Sequence, residues 1–551
     1  MSTNVARLVG SVLADLGVGH AFGVVGSGNF EVTNALRERG VPYLAARHEG
    51  GAASMADGYA RLADRPGVLT VHQGCGLTNA VTGITEAAKS RTPMIVLAAE
   101  TAAGAVSSNF RIDQAALAAS VGAVAERVHG PGTAVADVTR AWRTAVHGRR
   151  TVVLNLPLDV QAAGVDDVPT VTAPPAPGPV RPDPAAVEAL AGRIAASRRP
   201  VFVAGRGGRG AGPEIAALAE RSGALLATSA VANGLFRGDR FDLGISGGFS
   251  SPLTAELVSG ADLIVGFGCA LNMWTMRHGS LIGPETVVVQ VDDDPAALGA
   301  HRPVHLGVHG DCAATARDVL AALDGPDGPG GAARSGYRTD EVAARLADGP
   351  WWNLHPTDDL AGHGRVDPRE LSRALDRLLP AERVVAVDSG NFMGYPSAYL
   401  RVPDERGFVF TQAFQSIGLG LPSGIGAALA QPDRLAVVGT GDGGFLMAVA
   451  ELDTAVRLGR PMLVVVYDDA AYGAEVHHFT DGADLGAVTF PDTDLAALAR
   501  GHGALGVTVR SVADLDPVAA WARDPHGVMV VDAKVADDGG SWWLAEAFRG
   551  H

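Results

Sequence analysis

A glycine-rich segment that contains a single aspartate carries the clearest chemical signal in this sequence. Gly439–Gly444 (GTGDGG) follows the apolar run Leu435–Val438, which predicts a buried strand, and a helix is expected from about Phe445 to Leu458. Glycines allow backbone N–H groups to approach a phosphate at the start of a helix. The Asp442 carboxylate would repel that phosphate unless a divalent cation lay between them. The segment therefore predicts a phosphate site that includes a metal ion.

A pair of aspartates stands at the end of the next predicted strand. Met462–Tyr467 is apolar and β-branched, and Asp468 and Asp469 follow it directly. The carboxyl ends of parallel strands meet at one edge of a sheet, so we expect Asp469 to lie near Asp442. Two carboxylates, phosphate oxygens and a backbone carbonyl would complete the octahedral oxygen shell that Mg²⁺ prefers. A glycine-rich turn with surface carboxylates is the alternative, and the spacing of the two segments disfavours it.

Two further residues have the chemistry of proton transfer. Glu49 lies at a predicted strand-to-helix turn within the run Ala45–Arg61, which is rich in glycine and alanine. His72 follows the predicted strand Val68–Val71. Histidine titrates near neutral pH, so this side chain could carry protons to and from a reacting carbon. The plainer alternatives are a carboxylate stabilised by a helix N-terminus for Glu49 and a buried, hydrogen-bonded histidine for His72.

Short apolar runs alternate with longer Ala- and Leu-rich segments along the whole chain. This alternation is typical of parallel, doubly wound sheets. We therefore predict an α/β fold of three tandem doubly wound domains with mainly parallel sheets, with sites at the carboxyl ends of strands. The runs predicted as strands are Val68–Val71, Met94–Ala98, Thr151–Leu154, Val201–Ala204, Leu263–Phe267, Val287–Val291, Val384–Val387, Leu435–Val438, Met462–Val466 and Val528–Val531.

Two stretches rich in proline or glycine divide the chain. Val171–Pro184 contains six prolines, and Asp324–Gly336 combines glycine with proline. Both compositions are typical of linkers. They predict domains at residues 1–170, 185–323 and 365–551.

The phosphate segment and the aspartate pair together resemble a family motif. Gly441-Asp442-Gly443, followed after 24 residues by Asp468-Asp469, resembles the thiamine-diphosphate motif of the acetolactate synthase and pyruvate decarboxylase superfamily. The resemblance implies that Asp442, Asp469 and the Ala471 carbonyl bind Mg²⁺. The family's motif ends in two asparagines, so the aspartate pair is a departure that adds negative charge at the metal.

The resemblance covers nearly the whole chain and implies pyrimidine-binding, central and diphosphate-binding domains. Ala45–Arg61 resembles the family's pyrimidine-domain signature, with Glu49 at the glutamate that activates thiamine diphosphate. A carboxylate hydrogen-bonded to the pyrimidine favours the tautomer that takes up the C2 proton. Ile417 resembles the apolar wedge that holds the cofactor bent. The implied cofactor-binding residues are Glu49, Gly390, Asn391, Phe392, Gln415, Ile417, Gly441, Asp442, Gly443, Gly444, Asp469, Ala471, Tyr472 and Gly473.

The substrate end resembles decarboxylases of this superfamily. Benzoylformate decarboxylase has a histidine and a serine where this chain has His72 and Ser27, and pyruvate decarboxylase keeps a catalytic glutamate where this chain has Glu475. The resemblance implies a 2-oxo acid decarboxylase or carboligase that makes or breaks a carbon–carbon bond next to a carbonyl. Acetolactate synthase proper and a benzaldehyde-lyase-like aldehyde ligase are the alternatives. The implied catalytic residues are Glu49, His72 and Glu475, and the implied substrate residues are Ser27, Gly28, His72, Gln73, Glu475 and His477.

The middle domain raises the question of a second cofactor. Ala261–Gly268 and Val291–Pro295 resemble the family's central domain, where acetolactate synthases bind FAD. The segment has no convincing match to FAD-binding residues, so FAD is not expected.

The positions of the site residues predict an oligomer. Glu49 lies in the first domain, and Asp442 and Asp469 lie in the third, although one cofactor must contact all of them. In the family these two domains come from different subunits, so the resemblance implies a homodimer or a homotetramer. The small residues of Gly51–Leu62 suit close packing between subunits or, alternatively, within one subunit.

Two motifs suggest other enzymes but lack the expected context. Gly205–Gly210 fits the GxGxxG pattern of an NAD-dependent oxidoreductase, but no acid follows the next predicted strand, Ala224–Ala227. Gly244–Gly248 fits the GxSxG pattern of a serine hydrolase, but charged residues precede it instead of an apolar strand. A non-catalytic relic of a cofactor site is a third alternative, which the retention of Glu49 and Asp442 disfavours.

Composition excludes several kinds of partner. The net charge is −16, so the chain lacks the basic surface that nucleic acid would require. No apolar run approaches the roughly 18 residues of a membrane span, and the N-terminus lacks a basic region followed by an apolar core. Cys75, Cys269 and Cys312 have no metal or disulfide spacing, which is typical of a reducing compartment. We therefore expect a cytoplasmic protein that acts on small-molecule 2-oxo acids or aldehydes.

Overall fold

Apolar, β-branched runs of this chain form three parallel sheets, described here from a computed structural model. The structure describes residues 3–325, 335–347, 349, 352, 358–479 and 482–547. Most of the second predicted linker, residues 326–334, lies outside the described residues. Within the described ranges, no helix combines the length and the apolarity that crossing a membrane requires.

The first domain is built on six parallel strands whose side chains are mostly buried. Helices cover both faces of the sheet, so the apolar residues form a core on each side. In sheet order the strands are Tyr43–Ala45, His20–Gly23, Gly67–Val71, Met94–Glu100, Thr151–Pro157 and Val124–Arg127, and a separate antiparallel pair joins Thr3–Asn4 to Gly164–Val165. The helices are Val5–Asp15, Phe30–Glu38, Glu49–Leu62, Cys75–Asn79, Val81–Lys89, Gln114–Ser120, Ala134–Val146 and Leu158–Ala162.

The second domain repeats this plan. Its first helix begins at Pro184 because the Asp183 side chain accepts hydrogen bonds from the first-turn N–H groups and proline suits that position. In sheet order the strands are Asp242–Ile245, Leu225–Thr228, Pro200–Ala204, Leu263–Phe267, Val287–Asp292 and Leu306–His309. The helices are Pro184–Ala196, Gly212–Ser222, Pro252–Ser259, Cys312–Asp324 and Asp340–Leu346.

The third domain contains the phosphate segment and the aspartate pair. In sheet order its parallel strands are Phe408–Phe410, Arg383–Val387, Leu435–Gly441, Met462–Asp468, Val528–Lys534 and Leu505–Val509. The helices are Pro368–Leu378, Gly394–Tyr399, Gly420–Ala430, Asp442–Ala448, Ala450–Leu458, Gly473–His478, Leu495–Gly501, Asp516–Trp521 and Trp542–Ala547.

The predicted fold class is confirmed, and the ten runs predicted as strands from their apolar pattern each lie within a strand of the three sheets. The further predicted strand, Ala224–Ala227, is shifted by one residue, to Leu225–Thr228. The prediction of a helix from Phe445 to Leu458 is wrong at its start. The strand Leu435–Gly441 stays paired with its neighbour as far as Gly441, so the glycine run is shared between a strand and a helix that begins at Asp442. The helical segment also ends at Ala448, and a second helix begins at Ala450.

Small residues bring the first and third domains of one chain together. The helix Glu49–Leu62 packs against the helix Gly420–Ala430. A methyl group at Gly58 would lie 2.4 Å from the Ser423 carbonyl oxygen, and one at Gly426 would lie 2.1 Å from the Met55 carbonyl oxygen. The small residues of Gly51–Leu62 at this contact therefore serve packing within the subunit, which is the second of the two roles considered for them.

Candidate active site

A cavity of about 670 Å³ opens at the carboxyl edge of the third sheet. It is lined by the segments that follow five of its strands, as expected for a doubly wound sheet. All of the third-domain residues predicted for cofactor, metal or substrate line it: Gly390, Asn391, Phe392, Gln415, Ile417, Gly441, Asp442, Gly443, Gly444, Asp469, Ala471, Tyr472, Gly473, Glu475 and His477.

Asp442 and Asp469 enter this cavity from neighbouring strands. They follow Leu435–Gly441 and Met462–Asp468, which pair in parallel up to their carboxyl ends. Burial raises the pKa of Asp442 to about 7, with a contribution from the charge of Asp468. Burial likewise raises the pKa of Asp469 to about 7, with a contribution from the charge of Asp442. A divalent cation between two such carboxylates would relieve their repulsion.

Glycines make room for this arrangement. A methyl group at Gly473 would lie 2.2 Å from Asp469 Oδ2, and one at Gly443 would lie 2.6 Å from the ring of Tyr472. Gly443 and Gly444 belong to the first turn of the helix that begins at Asp442, whose backbone N–H groups have no partner within the helix itself. Carboxylate oxygens beside such N–H groups fit a magnesium ion bound together with a diphosphate group.

Asp468 has a different environment from Asp469. It is the last residue of its strand, its side chain is 2% exposed, and it does not line the cavity. Its Oδ2 atom lies 2.5 Å from Nζ of Lys534. The expectation that the aspartate pair adds negative charge at the metal is therefore revised for Asp468: its charge still raises the pKa of Asp442 and Asp469, but a buried ammonium group faces it and compensates part of that charge.

Asp388, which the motifs do not indicate, connects two loops of the cavity. It is fully buried directly after the strand Arg383–Val387, and burial raises its pKa to about 6. Its position links the loop of Gly390 to the segment that carries Ile417. At 2.9–3.2 Å its carboxylate accepts hydrogen bonds from the N–H groups of Ser389, Gly418 and Leu419 and from the hydroxyl of Thr440.

The segment after the last strand of the third domain closes one side of the cavity, and no motif predicted it. Ser541 Oγ donates a hydrogen bond to Asn391 Oδ1 at 2.7 Å. Trp543 Nε1 donates to the Asn391 carbonyl at 2.8 Å. Asp537 and Asp538 of the same segment line the cavity. The two adjacent tryptophans near the end of the chain are the sequence signal that could have indicated this role, since such side chains need a buried partner.

The residues predicted in the first domain form a second cluster. Glu49 is half-buried at the start of its helix and accepts a hydrogen bond from Asn79 Nδ2 at 3.0 Å. Glu49 and His72 flank the same glycine, since a methyl group at Gly76 would lie 3.4 Å from Glu49 Oε1 and 3.2 Å from His72 Cβ. Ser27 Oγ lies 3.5 Å from His72 Nε2. The structure thus brings Ser27 and Glu49 close to His72, although they precede it in the sequence by 45 and 23 positions.

The remaining first-domain candidates pack around this cluster. Gln73 is buried and lies over Gly28, where a methyl group would be 1.9 Å from its Oε1 atom. The ring of Phe110 contacts the His72 ring edge-on at 5.0 Å. The Phe110 ring thus covers one side of the imidazole, and the Nε2 atom of His72 is directed towards Ser27.

The two clusters are not joined within one chain. In the described ranges, none of the predicted first-domain residues lines the third-domain cavity. The turn before Glu49 instead contacts Glu451, whose carboxylate accepts a hydrogen bond from the His48 N–H group at 2.9 Å. Exposed apolar side chains accompany both clusters: Val25, Phe30 and Phe110 beside the first, and Leu446, Met447, Tyr472 and Phe490 beside the second.

The glycines of the two alternative motifs have packing roles. In the GxGxxG segment, a methyl group at Gly205 would lie 2.3 Å from the Gly268 carbonyl oxygen, so the glycine permits contact with the neighbouring strand end. In the GxSxG segment, a short strand does precede Ser246, contrary to expectation, because Asp242 is buried within it. Ser246 itself is buried and its hydroxyl donates to the Thr275 carbonyl, which is not the exposed position of a hydrolase nucleophile.

Known proteins resemble this chain along its whole length. It is 31% identical to the probable 2-ketoarginine decarboxylase of Pseudomonas aeruginosa, over 94% of this chain and 90% of that protein. It is 29% identical to the sulfoacetaldehyde acetyltransferase of Rhodobacter capsulatus, over 92% of this chain and 89% of that protein. It is also 28% identical to a putative acetolactate synthase large subunit of Mycobacterium tuberculosis, over 91% of each chain.

Three segments match the domains of one protein family. Residues 3–119 match the N-terminal TPP binding domain of thiamine pyrophosphate enzymes, residues 187–322 match the central domain, and residues 388–533 match the C-terminal TPP binding domain. The matched order is that of the three sheets. With the cavity, its carboxylates and its relatives taken together, the chain belongs to the thiamine pyrophosphate enzyme family.

Proposed function

We propose that this protein is a thiamine-diphosphate- and Mg²⁺-dependent decarboxylase of 2-oxo acids that can also ligate the resulting acyl group to an aldehyde. The observation that carries the reaction type is the placement of His72 beside Glu49 across Gly76, with Ser27 next to the imidazole. An ionisable ring beside the carboxylate that would meet the pyrimidine can deliver a proton to the carbon that loses CO₂.

The cavity residues would hold the cofactor. Asp442, Asp469 and the Ala471 carbonyl would bind the metal, the loop of Gly390, Asn391 and Phe392 would contact the diphosphate, and Ile417 would support the thiazolium. When bound, thiamine diphosphate supplies a nucleophilic carbon and an acceptor for the electrons released as CO₂ leaves.

The chain's own side chains would manage protons and orientation. Glu49 would hold the pyrimidine ring and set its tautomer, His72 would exchange a proton with the reacting carbon or its oxygen, and Ser27 would orient the substrate. Glu475, in the first turn of Gly473–His478, and His477 line the cavity and would contact the substrate. This division matches the two clusters, one for activation and one for metal and phosphate binding.

The separation of the clusters supports a shared site. A single cofactor must reach both Glu49 and Asp442, yet the first-domain candidates do not line the cavity of their own chain. We propose that the first domain of one subunit completes the cavity of its partner, in a homodimer or a dimer of dimers. The exposed apolar side chains beside each cluster are suited to burial in such an interface. The three unpaired cysteines suit the cytoplasm as its location.

A second observation favours substrates with a cationic side chain. Beyond the two proposed metal ligands, the cavity is lined by three carboxylates, Glu475, Asp537 and Asp538, and by one guanidinium group, that of Arg365. The carboxylates outnumber the guanidinium group, so a guanidinium or ammonium group of a substrate would be attracted there and a sulfonate repelled. The relative named as a 2-ketoarginine decarboxylase would act on such a cation. The relatives named as sulfoacetaldehyde acetyltransferases would act on an anion, which this cavity disfavours.

A panel of matched 2-oxo acids tests the proposal. Purified enzyme with thiamine diphosphate and Mg²⁺ is assayed for CO₂ and acyloin with three 2-oxo acids that differ in the charge of the side chain: 5-guanidino-2-oxopentanoate (cationic), 2-oxohexanoate (neutral) and 2-oxoglutarate (anionic). A sugar phosphate and an acyl-CoA are assayed beside them. We expect kcat/KM for CO₂ release to be highest for the cationic side chain, lower for the neutral one and lowest for the anionic one. The two extremes should differ by at least about tenfold, which corresponds to one favourable charge contact. Turnover of only a sugar phosphate or an acyl-CoA would reject the substrate class. A preference for the anionic side chain would reject only the proposed selectivity for cationic side chains.

A further inference from the structure

A buried lysine, Lys534, lies beside the turn that carries Asp469 and Ala471, called here the metal loop. Lys534 is the last residue of Val528–Lys534, its side chain is 2% exposed, and it pairs in register with Asp468 on the neighbouring strand. Its Nζ atom lies 2.5 Å from Asp468 Oδ2, 2.6 Å from Asp492 Oδ1 and 3.1 Å from Asp532 Oδ1. It also donates a hydrogen bond to a backbone carbonyl, that of Thr493, at 2.7 Å.

The ammonium group of Lys534 compensates the negative charge that Asp468 places in the protein interior. A buried carboxylate is costly unless a cation or several hydrogen bonds compensate it. An asparagine, which the related motif has at this position, would be neutral and would need no counter-ion. Asp468 is as deeply buried as Lys534, so the two side chains form a compensated pair in place of an amide.

The same carboxylate shapes the turn that presents the proposed metal ligands. Asp468 Oδ1 accepts a hydrogen bond from the Ala470 N–H group at 2.9 Å. Ala470 has φ of +58°, a left-handed conformation that alanine adopts only when its surroundings enforce it. Asp469 Oδ1 in turn accepts from the Ala471 N–H group at 3.2 Å. One path of contacts thus runs from Lys534 through Asp468 to the turn of Asp469 and Ala471.

We propose that Lys534 is a positioning residue for the metal loop, required because position 468 is an aspartate. It holds the Asp468 carboxylate at the strand end, outside the cavity, so that Asp469 is the aspartate of the pair that joins Asp442 at the metal. This inference depends on the proposed metal role of Asp442 and Asp469. Of the three carboxylates around Lys534, that of Asp468 accepts a hydrogen bond from the N–H group of the left-handed residue itself, whereas Asp492 belongs to the neighbouring segment whose Phe490 N–H group donates to the Ala470 carbonyl.

Mn²⁺ binding tests this role without a catalytic assay. The dissociation constant of Mn²⁺ is measured by electron paramagnetic resonance in the presence of thiamine diphosphate. We expect Lys534→Met to weaken Mn²⁺ binding by at least about tenfold, the usual scale for groups that orient metal ligands. Adding Asp468→Asn to Lys534→Met should restore binding to within about threefold of the wild type, since the charge that needed compensation is gone. Adding Asp492→Asn instead is the matched control and should not restore it.

Each outcome is decisive. If the wild type fails to bind Mn²⁺ with the cofactor, both the proposed metal site and this inference are wrong. If the wild type binds and Lys534→Met binds equally well, only this inference is wrong. If Lys534→Met binds weakly and Asp468→Asn gives no rescue, or if Asp492→Asn rescues equally, Lys534 acts as a general bridge and the inference is wrong. Should Lys534→Met not fold, the double variant with Asp468→Asn must fold and bind, and its failure would overturn the proposal.

Discussion

Replacing Glu49 with glutamine is expected to slow exchange of the C2 proton of bound thiamine diphosphate by about 10²–10⁴-fold, the scale of a lost general acid–base contribution. The substitution keeps the size of the side chain and an oxygen that can still accept the hydrogen bond from Asn79. It removes only the charge that would favour the reactive tautomer of the pyrimidine. Folding and diphosphate binding should therefore change little. The measurement is C2–H exchange by NMR in the presence of Mg²⁺.

A control separates this effect from the loss of charge at a helix start. Glu214 also lies in the first turn of a helix, Gly212–Ser222, but in the central domain. Glu214→Gln changes helix stability by a similar few tenths to about 1 kcal/mol, and we expect no change in C2 exchange. If Glu49→Gln exchanges at the wild-type rate, Glu49 does not activate the cofactor.

Replacing Asp469 with alanine is expected to remove most binding of both Mg²⁺ and cofactor, whereas Asp469→Asn should retain both. Alanine supplies no ligand oxygen, so the loss should be at least about 100-fold in metal affinity, beyond the usual effect of an indirect contact. Asparagine supplies an amide oxygen, the ligand found in related motifs. Isothermal titration calorimetry measures the two affinities, with Mg²⁺ as the titrant in the presence of thiamine diphosphate and with thiamine diphosphate as the titrant in the presence of Mg²⁺. Equal binding by Asp469→Ala and the wild type would show that Asp469 is not a ligand.

The pH dependence provides an independent check on the same residue. Without a cation, burial raises the pKa of Asp442 and Asp469 to about 7, so Mg²⁺ must displace protons and its affinity should fall as the pH drops through 7. Asp469→Asn removes one of the two titrating groups, and its affinity should vary less steeply with pH. In the metal-free protein, carboxylates with raised pKa values favour the folded state at low pH. That contribution is lost as the pH rises from about 4 to about 7.

The parts of the site that follow strands could be predicted from the sequence. The carboxyl ends of parallel strands converge on one edge of the sheet. A polar residue that follows an apolar run is therefore expected to line the cavity at that edge. This holds for Asp442, Asp469 and Asn391, all of which line it. The strands themselves were found because buried parallel strands are continuous apolar runs.

Contacts between distant segments could not be predicted in the same way. Lys534 compensates Asp468 from 66 residues away, and only the strand order makes them neighbours. Asp388 occurs at a strand end like a ligand, yet its carboxylate is turned inward by the N–H groups of two loops. The helix start at Asp442 was misplaced because glycine is compatible with both a strand end and a first helical turn. The small residues of Gly51–Leu62 indicate close packing but do not specify the partner.

Mixing two inactive variants tests the central proposal, a cofactor site completed by two subunits. Glu49→Gln damages the first-domain cluster and Asp442→Ala the third-domain cavity. After subunit exchange, each mixed dimer would contain one site with neither lesion and one with both. We predict recovery of about a quarter of the wild-type activity in a random mixture of dimers. No recovery after confirmed exchange, or a fully active monomer in sedimentation, would contradict the shared site.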